Sequence, residues 1–253
     1  MTKRSTLGED LPNALKASPS SLGTLARCAR LWYQQKILEL DETFTPAQLR
    51  SFARGTKLHD AIERFLLDPS CEAPDDELAA LATTFLEKLR LAPGLTVEQQ
   101  IHFEMEGVLV RGFIDAYTDR GILDHKTSSN VLRYGETEYT LAKNLQLMVY
   151  AHWWLTYHRP EADQLTIGHL QFQTRGKPFW RFVWSTVPRS HVEHYVEHTL
   201  RPLLRLQATV ASAGGLDEVT ATRTACGDYG GCPFAANCAK ADAALATVSD
   251  LPP

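Results

Sequence analysis

With 253 residues, 44% of them hydrophobic and 22% charged, the chain is long enough to bury a substantial core. No apolar run approaches the roughly twenty residues that a membrane helix requires. The opening Met1 to Ser5 has no apolar stretch of the kind a secretory signal needs, so a cytoplasmic protein with reduced thiols and no membrane contact is expected. The formal net charge of -4 is unusual for a nucleic-acid binder, which commonly shows a basic footprint, and any such footprint must therefore be local.

In chain order, residues 1–19 carry two prolines and little periodicity, which predicts a loose N-terminal arm. Helical patterns follow over residues 20–40, 46–67 and 75–91, with Pro46 suited to a first helical turn. Strand patterns cover 96–105, 107–117 and 121–126. A helix is predicted over 141–157, two more strands over 165–174 and 178–187, and a last helix over 189–212. The remainder is a cysteine-containing loop, then a C-terminal tail at 241–253. Repeats and low-complexity tracts are absent. The simplest arrangement is an α/β (α+β) fold, a central mixed β-sheet flanked by helices, with one domain over 20–240.

The order Gly112-Phe-Ile-Asp115, a polar turn, then Asp124-His-Lys126 places two carboxylates and one lysine on neighbouring strands. Thr118-Asp119-Arg120-Gly121 is turn chemistry, so a tight hairpin is expected to gather Asp115, Asp124 and Lys126 at one end. Asp124 and Lys126, two apart, share a face. Taken alone, Asp-X-Lys is a common tripeptide and is most simply a surface hairpin with solvated charges. Upstream, Gly55-Thr-Lys-Leu-His59 lies on a helix that brings Glu63 one turn from His59. Downstream, Gln146 and Tyr150 stand four apart on another helix.

Together these residues resemble the RecB-like branch of the PD-(D/E)XK nuclease superfamily, whose signature runs G-T-x-x-H, G-x-x-D, D/E-x-K, Q-x-x-x-Y. All four elements occur here in order, and the resemblance spans from about Ser20 to Cys238. It implies a restriction-endonuclease-like core. It also implies that Asp115 and Asp124 hold Mg²⁺ or Mn²⁺ through hard oxygens, with His59 and the main-chain carbonyl of His125 as further ligands. Lys126 would orient or deprotonate the attacking water, and Gln146 and Tyr150 would line the site. The side chain of His125 is expected on the opposite strand face, in a structural role.

The cysteines give a second signal. Cys226, Cys232 and Cys238 share a thirteen-residue loop, and Cys28 lies far upstream. One distant cysteine with a C-terminal triplet resembles the iron–sulfur staple of part of this nuclease branch, where four thiolates bind a [4Fe-4S] cluster and join the N- and C-terminal segments. Both gaps in the triplet here hold five residues, a departure from the usual C-x-x-C-x-x-x-x-x-C. Zinc would accept four thiolates too, although zinc sites favour short knuckles that this chain lacks. Unligated or disulfide-linked cysteines are the remaining alternative. Cys71, in a Pro-rich turn, fits neither position and is expected to be a free thiol.

Basic residues cluster at Arg27/Arg30/Lys36, Arg50/Arg54/Lys57 and Arg175/Lys177/Arg181. Of these, Arg50, Arg54, Lys57, Arg175 and Lys177 are the candidate DNA contacts, with a solvated face as the alternative. Aromatics nearby (Trp32, Tyr33, Phe52, Phe172, Phe179 and Trp180) could stack on bases or pack the core. The leading expectation is a metal-dependent DNA nuclease, an exonuclease on single strands or DNA ends. It would act in recombination, repair, phage or CRISPR DNA processing, with a helicase, recombinase or CRISPR adaptation protein as partner. A non-catalytic nucleic-acid-binding subunit that keeps the fold and cluster is the alternative, and an iron–sulfur redox protein a third. Oligomeric state and cleavage polarity are not legible.

Overall fold

The computed structural model describes residues 15–239 and Asp242. The expected C-terminal tail and most of the expected N-terminal arm lie outside the described residues. Six strands form one mixed sheet in the order β1-β3-β4-β5-β6, with β2 also pairing β3, and helices flank it, an α/β arrangement. The chain divides into two compact units. One comprises residues 1–44, 102–110 and 199–253, and the other 45–101 and 111–198.

In the first unit, β1 (Leu15–Ala17) pairs in parallel with the start of β3, Leu15 against Val108. This corrects the loose arm: the segment is a strand, and Ser18 then caps α1 (Pro19–Arg27) through a reciprocal bond with Ser21. The single helix expected over 20–40 is two, α1 and α2 (Ala29–Lys36), because Cys28 adopts an extended backbone between them. Arg30 is buried and donates its Nε to the carbonyl of Val219 at 2.7 Å, while Tyr33 donates its hydroxyl to Ala213. Both residues therefore tie α2 to the C-terminal segment. The cluster Arg27/Arg30/Lys36 is not a uniform basic face, and Trp32 and Tyr33 are core. Later in this unit, α10 (Arg201–Ala211) packs on α1 and α2, and Arg201 and Arg205 both reach Glu106.

In the second unit, α3 (Pro46–Leu67) matches its predicted bounds, because Thr45 and Gln48 form a capping box and Pro46 opens the first turn. Its residues Leu58, Ile62, Phe65 and Leu66 recur with helical period. They pack with Leu86 of α5 (Thr83–Arg90), with Leu78 of α4 (Glu77–Ala80), and with Ala116, Leu123, Leu170 and Phe172 of the sheet. Phe172 is thus core and does not stack bases. β2 (Thr96–Met105) and β3 (Val108–Thr118) turn at Glu106-Gly107, which belongs to the first unit, both residues at positive φ, as a two-residue primed turn demands. Strand β3 then turns back into β4 (Gly121–Ser128), antiparallel, with Ala116 against Leu123.

Two short helices, α6 (Val131–Tyr134) and α7 (Glu138–Leu141), precede α8 (Leu145–Trp153). The helix expected over 141–157 starts later, because Asn144 caps it by accepting from the Leu147 N–H, and it ends in a π turn, Trp154–His158. β5 (Gln164–Gln173) runs parallel to β4, and β6 (Phe179–Pro188) pairs antiparallel with β5. The predicted last helix is likewise interrupted: α9 (Arg189–Tyr195) passes through a π turn, Val196–Leu200, before α10.

The close approach of β4 to β5 depends on one glycine. A Cβ on Gly121 would sit 1.8 Å from the carbonyl oxygen of Thr166, in the backbone of β5, whereas a Cβ on Gly107 would meet nothing within 4 Å. Gly121→Ala is expected to cost at least about 2 kcal/mol by forcing β4 and β5 apart. Gly107→Ala, strained only by its φ of 71°, is expected to cost about 1 kcal/mol. Denaturant midpoints of the two variants check the order, and a smaller loss at Gly121 than at Gly107 would refute it.

Candidate functional site

All the residues of the hairpin motif, Gly112 to Lys126, lie in the second unit. The β3–β4 ladder is regular from Thr118/Gly121 to Ala116/Leu123, and continuing its register sets Asp115 across from Asp124. There Asp115 Oδ2 accepts the main-chain N–H of His125 at 2.6 Å, so a side-chain carboxylate takes the place of a ladder acceptor. Strand β4 in turn lies beside β5 with Asp124 opposite His169 and Lys126 opposite Gln171. A carboxylate buried between strands loses its hydration. Burial accordingly pushes the Asp115 carboxyl above the usual range, against the pull of His59 and the His125 N–H. The same cause raises Asp124, only 1% exposed, despite the Lys126 ammonium beside it.

Two side-chain sets adjoin across β4. In the first, Asp115 Oδ2 lies 3.5 Å from His59 Nδ1 and 3.6 Å from His125 Nδ1. One ligand atom from each of His59, Asp115 and His125 can be chosen so that all three lie within 4.8 Å of one another. The imidazole of His125, for which a structural role was expected, thus stands beside Asp115. It stands edge to face with His59 at a ring separation of 5.4 Å, and its main-chain N–H serves Asp115. Burial, with His59 nearby, holds the His125 imidazole down to about 3, so it is neutral and able to offer a lone pair.

In the second set, Gln146 is a bridge. Its amide nitrogen donates to Asp124 Oδ1 at 2.9 Å and to the Tyr150 hydroxyl at 3.1 Å, and its carbonyl accepts from Lys126 Nζ at 2.8 Å. The four-residue spacing on α8 therefore places Gln146 and Tyr150 on one face, as the pattern predicts. Lys126 Nζ stands 2.6 Å from Asp124 Oδ2, an ion pair that compensates the buried carboxylate. Burial also raises the Tyr150 phenol, which stays a neutral donor.

Gly55, Thr56, His59, Asp60 and Glu63 of α3 line an open cleft together with Glu98 and Asp115. Glu98 was not anticipated. It adopts a φ of 50°, in a region that side chains other than glycine rarely enter, and burial with Asp115 and Glu63 pushes its carboxyl up to about 7. His169 was also missed. It is 1% exposed, 3.6 Å from Asp124 Oδ2, and held down to about 4 by burial.

Some members of the basic clusters are otherwise engaged. Arg54 grips Asp76 with both guanidinium nitrogens, at 2.5 and 3.0 Å, while Asp76 caps α4. Arg181 donates to Gln171, Val131 and Glu136. Arg50 and Lys57 are exposed on α3, and Arg175 and Lys177 are exposed in the turn between β5 and β6.

The cysteines of the expected staple all belong to the first unit, and none of the five cysteines is in a disulfide. Cys28, Leu31, Cys232 and Phe234 pack together, and the Cys232 thiol is raised by burial and by Cys238, Cys226 and Cys28 around it. The main-chain N–H of Thr222 points to Cys28 Sγ at 3.4 Å, and Gln34 Nε2 to Cys238 Sγ at 3.9 Å. Cys71 belongs to the second unit and packs against its core.

Among solved structures, an exonuclease candidate from Eubacterium rectale is similar over 76% of this chain and 81% of its own, at 14% identity and a TM-score of 0.49. A protein designated SSO0001 is similar over 90% and 88%, at 13% identity and a TM-score of 0.42. No curated protein matches significantly. The family model of the PD-(D/E)XK nuclease superfamily matches residues 16–101 and 75–239, which together span every motif described above, and the chain belongs to that superfamily.

Proposed function

We propose that this protein is a metal-dependent deoxyribonuclease of the RecB-like branch that hydrolyses phosphodiester bonds in single-stranded DNA or at DNA ends. The observation that carries the reading is the continuous set His59–Asp115–His125 beside Asp124–Lys126–Gln146–Tyr150. The donor set suits a divalent ion, because His59, Asp115 and His125 offer ligand atoms within one coordination shell and the buried Asp124 carboxylate stands on the neighbouring strand. Carboxylate oxygens suit Mg²⁺, and the imidazole nitrogens tilt the preference toward Mn²⁺. When bound, such an ion supplies Lewis-acid stabilisation of a phosphoryl oxygen and lowers the pKa of a coordinated water.

The chain's own residues do the rest. Gln146 fixes Lys126 and Asp124 relative to each other, so that the Lys126 ammonium is held at the rim of the carboxylate pair. From there it positions the attacking water and donates to the phosphate oxygen on which negative charge grows. The water oxygen bonds to phosphorus, the bond to the departing strand breaks, and the water's proton is passed to the leaving oxygen. Tyr150, kept neutral by burial, orients Gln146. Arg50, Lys57, Arg175 and Lys177 are exposed cations available to the DNA backbone.

A [4Fe-4S] cluster on Cys28, Cys226, Cys232 and Cys238 is the second part of the proposal. In support of it, the Cys232 thiol feels Cys238, Cys226 and Cys28, and the sulfurs of Cys28 and Cys238 each face an N–H donor of the kind that tunes cluster sulfurs. Its role is a structural staple. A cytoplasmic setting, a helicase, recombinase or CRISPR adaptation partner, and a task in recombination, repair or phage or spacer DNA processing fit this reading.

Asp115→Ala, Asp124→Ala and Lys126→Ala are each expected to lower the rate of Mn²⁺-supported hydrolysis of single-stranded DNA by about a thousandfold or more, while Gln146→Ala, which loosens the bridge, loses about tenfold to a hundredfold. Steady-state assays decide it, and near wild-type activity in Asp124→Ala would remove the assignment. For the staple, anaerobically purified protein is expected to be brown with about four irons per chain. Serine at any of the four positions should lose the cluster and depress thermal stability, whereas Cys71→Ser changes neither. Stoichiometric zinc in a colourless protein would overturn the cluster.

A further inference from the structure

Between Lys126 and Gln146, the chain makes a detour through α6 and α7 that carries three large exposed apolar side chains. Leu132 is 74% exposed, Tyr134 62% and Tyr139 71%. Such exposure of adjacent apolar groups is uncommon in a segment that is itself firmly held. Arg181 donates to the carbonyls of Val131 and Glu136, Gln171 donates to the same Glu136 carbonyl, and Gln173 accepts the Val131 N–H. The Glu136 carboxylate in turn takes the amide of Asn144, the residue that caps α8. Polar side chains of β5 and β6, Gln171 among them buried, therefore anchor the detour, and its rings are exposed.

Each tyrosine has a cation of its own. The Arg133 guanidinium lies 5.1 Å from the Tyr134 ring centre, and Lys143 Nζ lies 4.0 Å from that of Tyr139 and donates to its hydroxyl. Arg133 and Lys143 are themselves exposed. An exposed aromatic ring with a positive charge held against it offers both a stacking surface for a nucleobase and a partner for the attached phosphate, whereas a folded protein partner would be expected to cover the apolar groups without calling for paired cations. In a duplex, the base faces are already stacked on one another, so rings of this kind recognise unpaired nucleotides.

We propose that Tyr134 and Tyr139, with Arg133 and Lys143, form a base-stacking shelf that holds the single-stranded DNA running to or from the hydrolytic site. The inference rests on the nuclease reading above and narrows it to single strands. It also reassigns the stacking role from Trp32, Tyr33 and Phe172, which are core, to residues on the loop that links the two halves of the site.

The test is equilibrium binding of fluorescent oligothymidylate, and of an abasic strand of the same length, in EDTA. Wild-type protein should bind the abasic strand at least about tenfold more weakly, since each stacked base contributes on the order of 1–3 kcal/mol. Tyr134→Ala/Tyr139→Ala should lose about tenfold or more for oligothymidylate and little for the abasic strand, and Tyr134→Phe/Tyr139→Phe should retain wild-type affinity, which separates stacking from a fold defect. Equal wild-type affinity for both strands, or an unchanged double-alanine variant, would overturn the shelf. Wild-type hydrolysis of bis(p-nitrophenyl) phosphate with Mn²⁺ is followed in parallel. Hydrolysis without base-dependent binding refutes the shelf alone, and base-dependent binding without hydrolysis refutes the nuclease reading alone.

Discussion

The acceptance of the His125 main-chain N–H by Asp115 is the contact on which the second unit's chemistry depends. It sits where the β3–β4 ladder gives way, and it fixes a carboxylate inside the sheet that solvent would otherwise hold more cheaply. Everything around it answers that burial. His59 approaches from α3, His125 turns its own ring to the same oxygen, and on the neighbouring position Asp124 draws in Lys126 and Gln146. Two buried carboxylates whose ionised forms are both disfavoured make a poor core and a good cation trap. The sheet supplies rigidity through Gly121, whose absent side chain lets β4 lie close against β5 and so brings His169 to the flank of Asp124.

Much of this was legible because local rules and tertiary demands agree. The bounds of α3 were readable from Thr45-Pro46 and from the apolar period that ends at Leu67, and each feature is a separate physical signal. The β2 bounds and the hairpin positions of Asp115 and Asp124 followed from alternation and turn chemistry. Helix interruptions were not readable in the same way. Cys28 is extended in a stretch whose side chains are compatible with helix, and the π turns at Trp154–His158 and Val196–Leu200 insert one residue per turn without any compositional mark. The strand Leu15–Ala17 is too short to announce itself and exists by pairing with Val108–Val110.

The site divides along the same line. Residues related by a fixed spacing on one element, such as Gln146 and Tyr150 or Asp124 and Lys126, were found, because spacing determines a shared face. Residues that join by register between distant strands were not: His169 reaches Asp124 only through the parallel β4–β5 pairing, and Glu98 enters the cleft through an unusual backbone conformation. Charge clusters misled for a related reason. Spacing placed Arg54 and Arg181 on basic faces but could not reveal Asp76 or the carbonyls of Val131 and Glu136 as their partners. Arg30 is the same case in the first unit.

The central claim is that Asp115 and Asp124 are buried in order to hold a divalent cation. A carboxyl whose pKa is raised in the folded state is protonated there at a pH where it would be ionised in the unfolded chain, so the metal-free protein loses stability from this pair as pH rises above the ordinary carboxylate value of about 4. A cation that binds must displace those protons. The direct measurement is calorimetric titration of the metal-free protein with Mn²⁺ near pH 5, in two buffers of different ionisation enthalpy. The account predicts a saturable site whose binding releases protons and which is lost in Asp115→Ala, and Mn²⁺ binding that is absent, or undiminished in that variant, would contradict it.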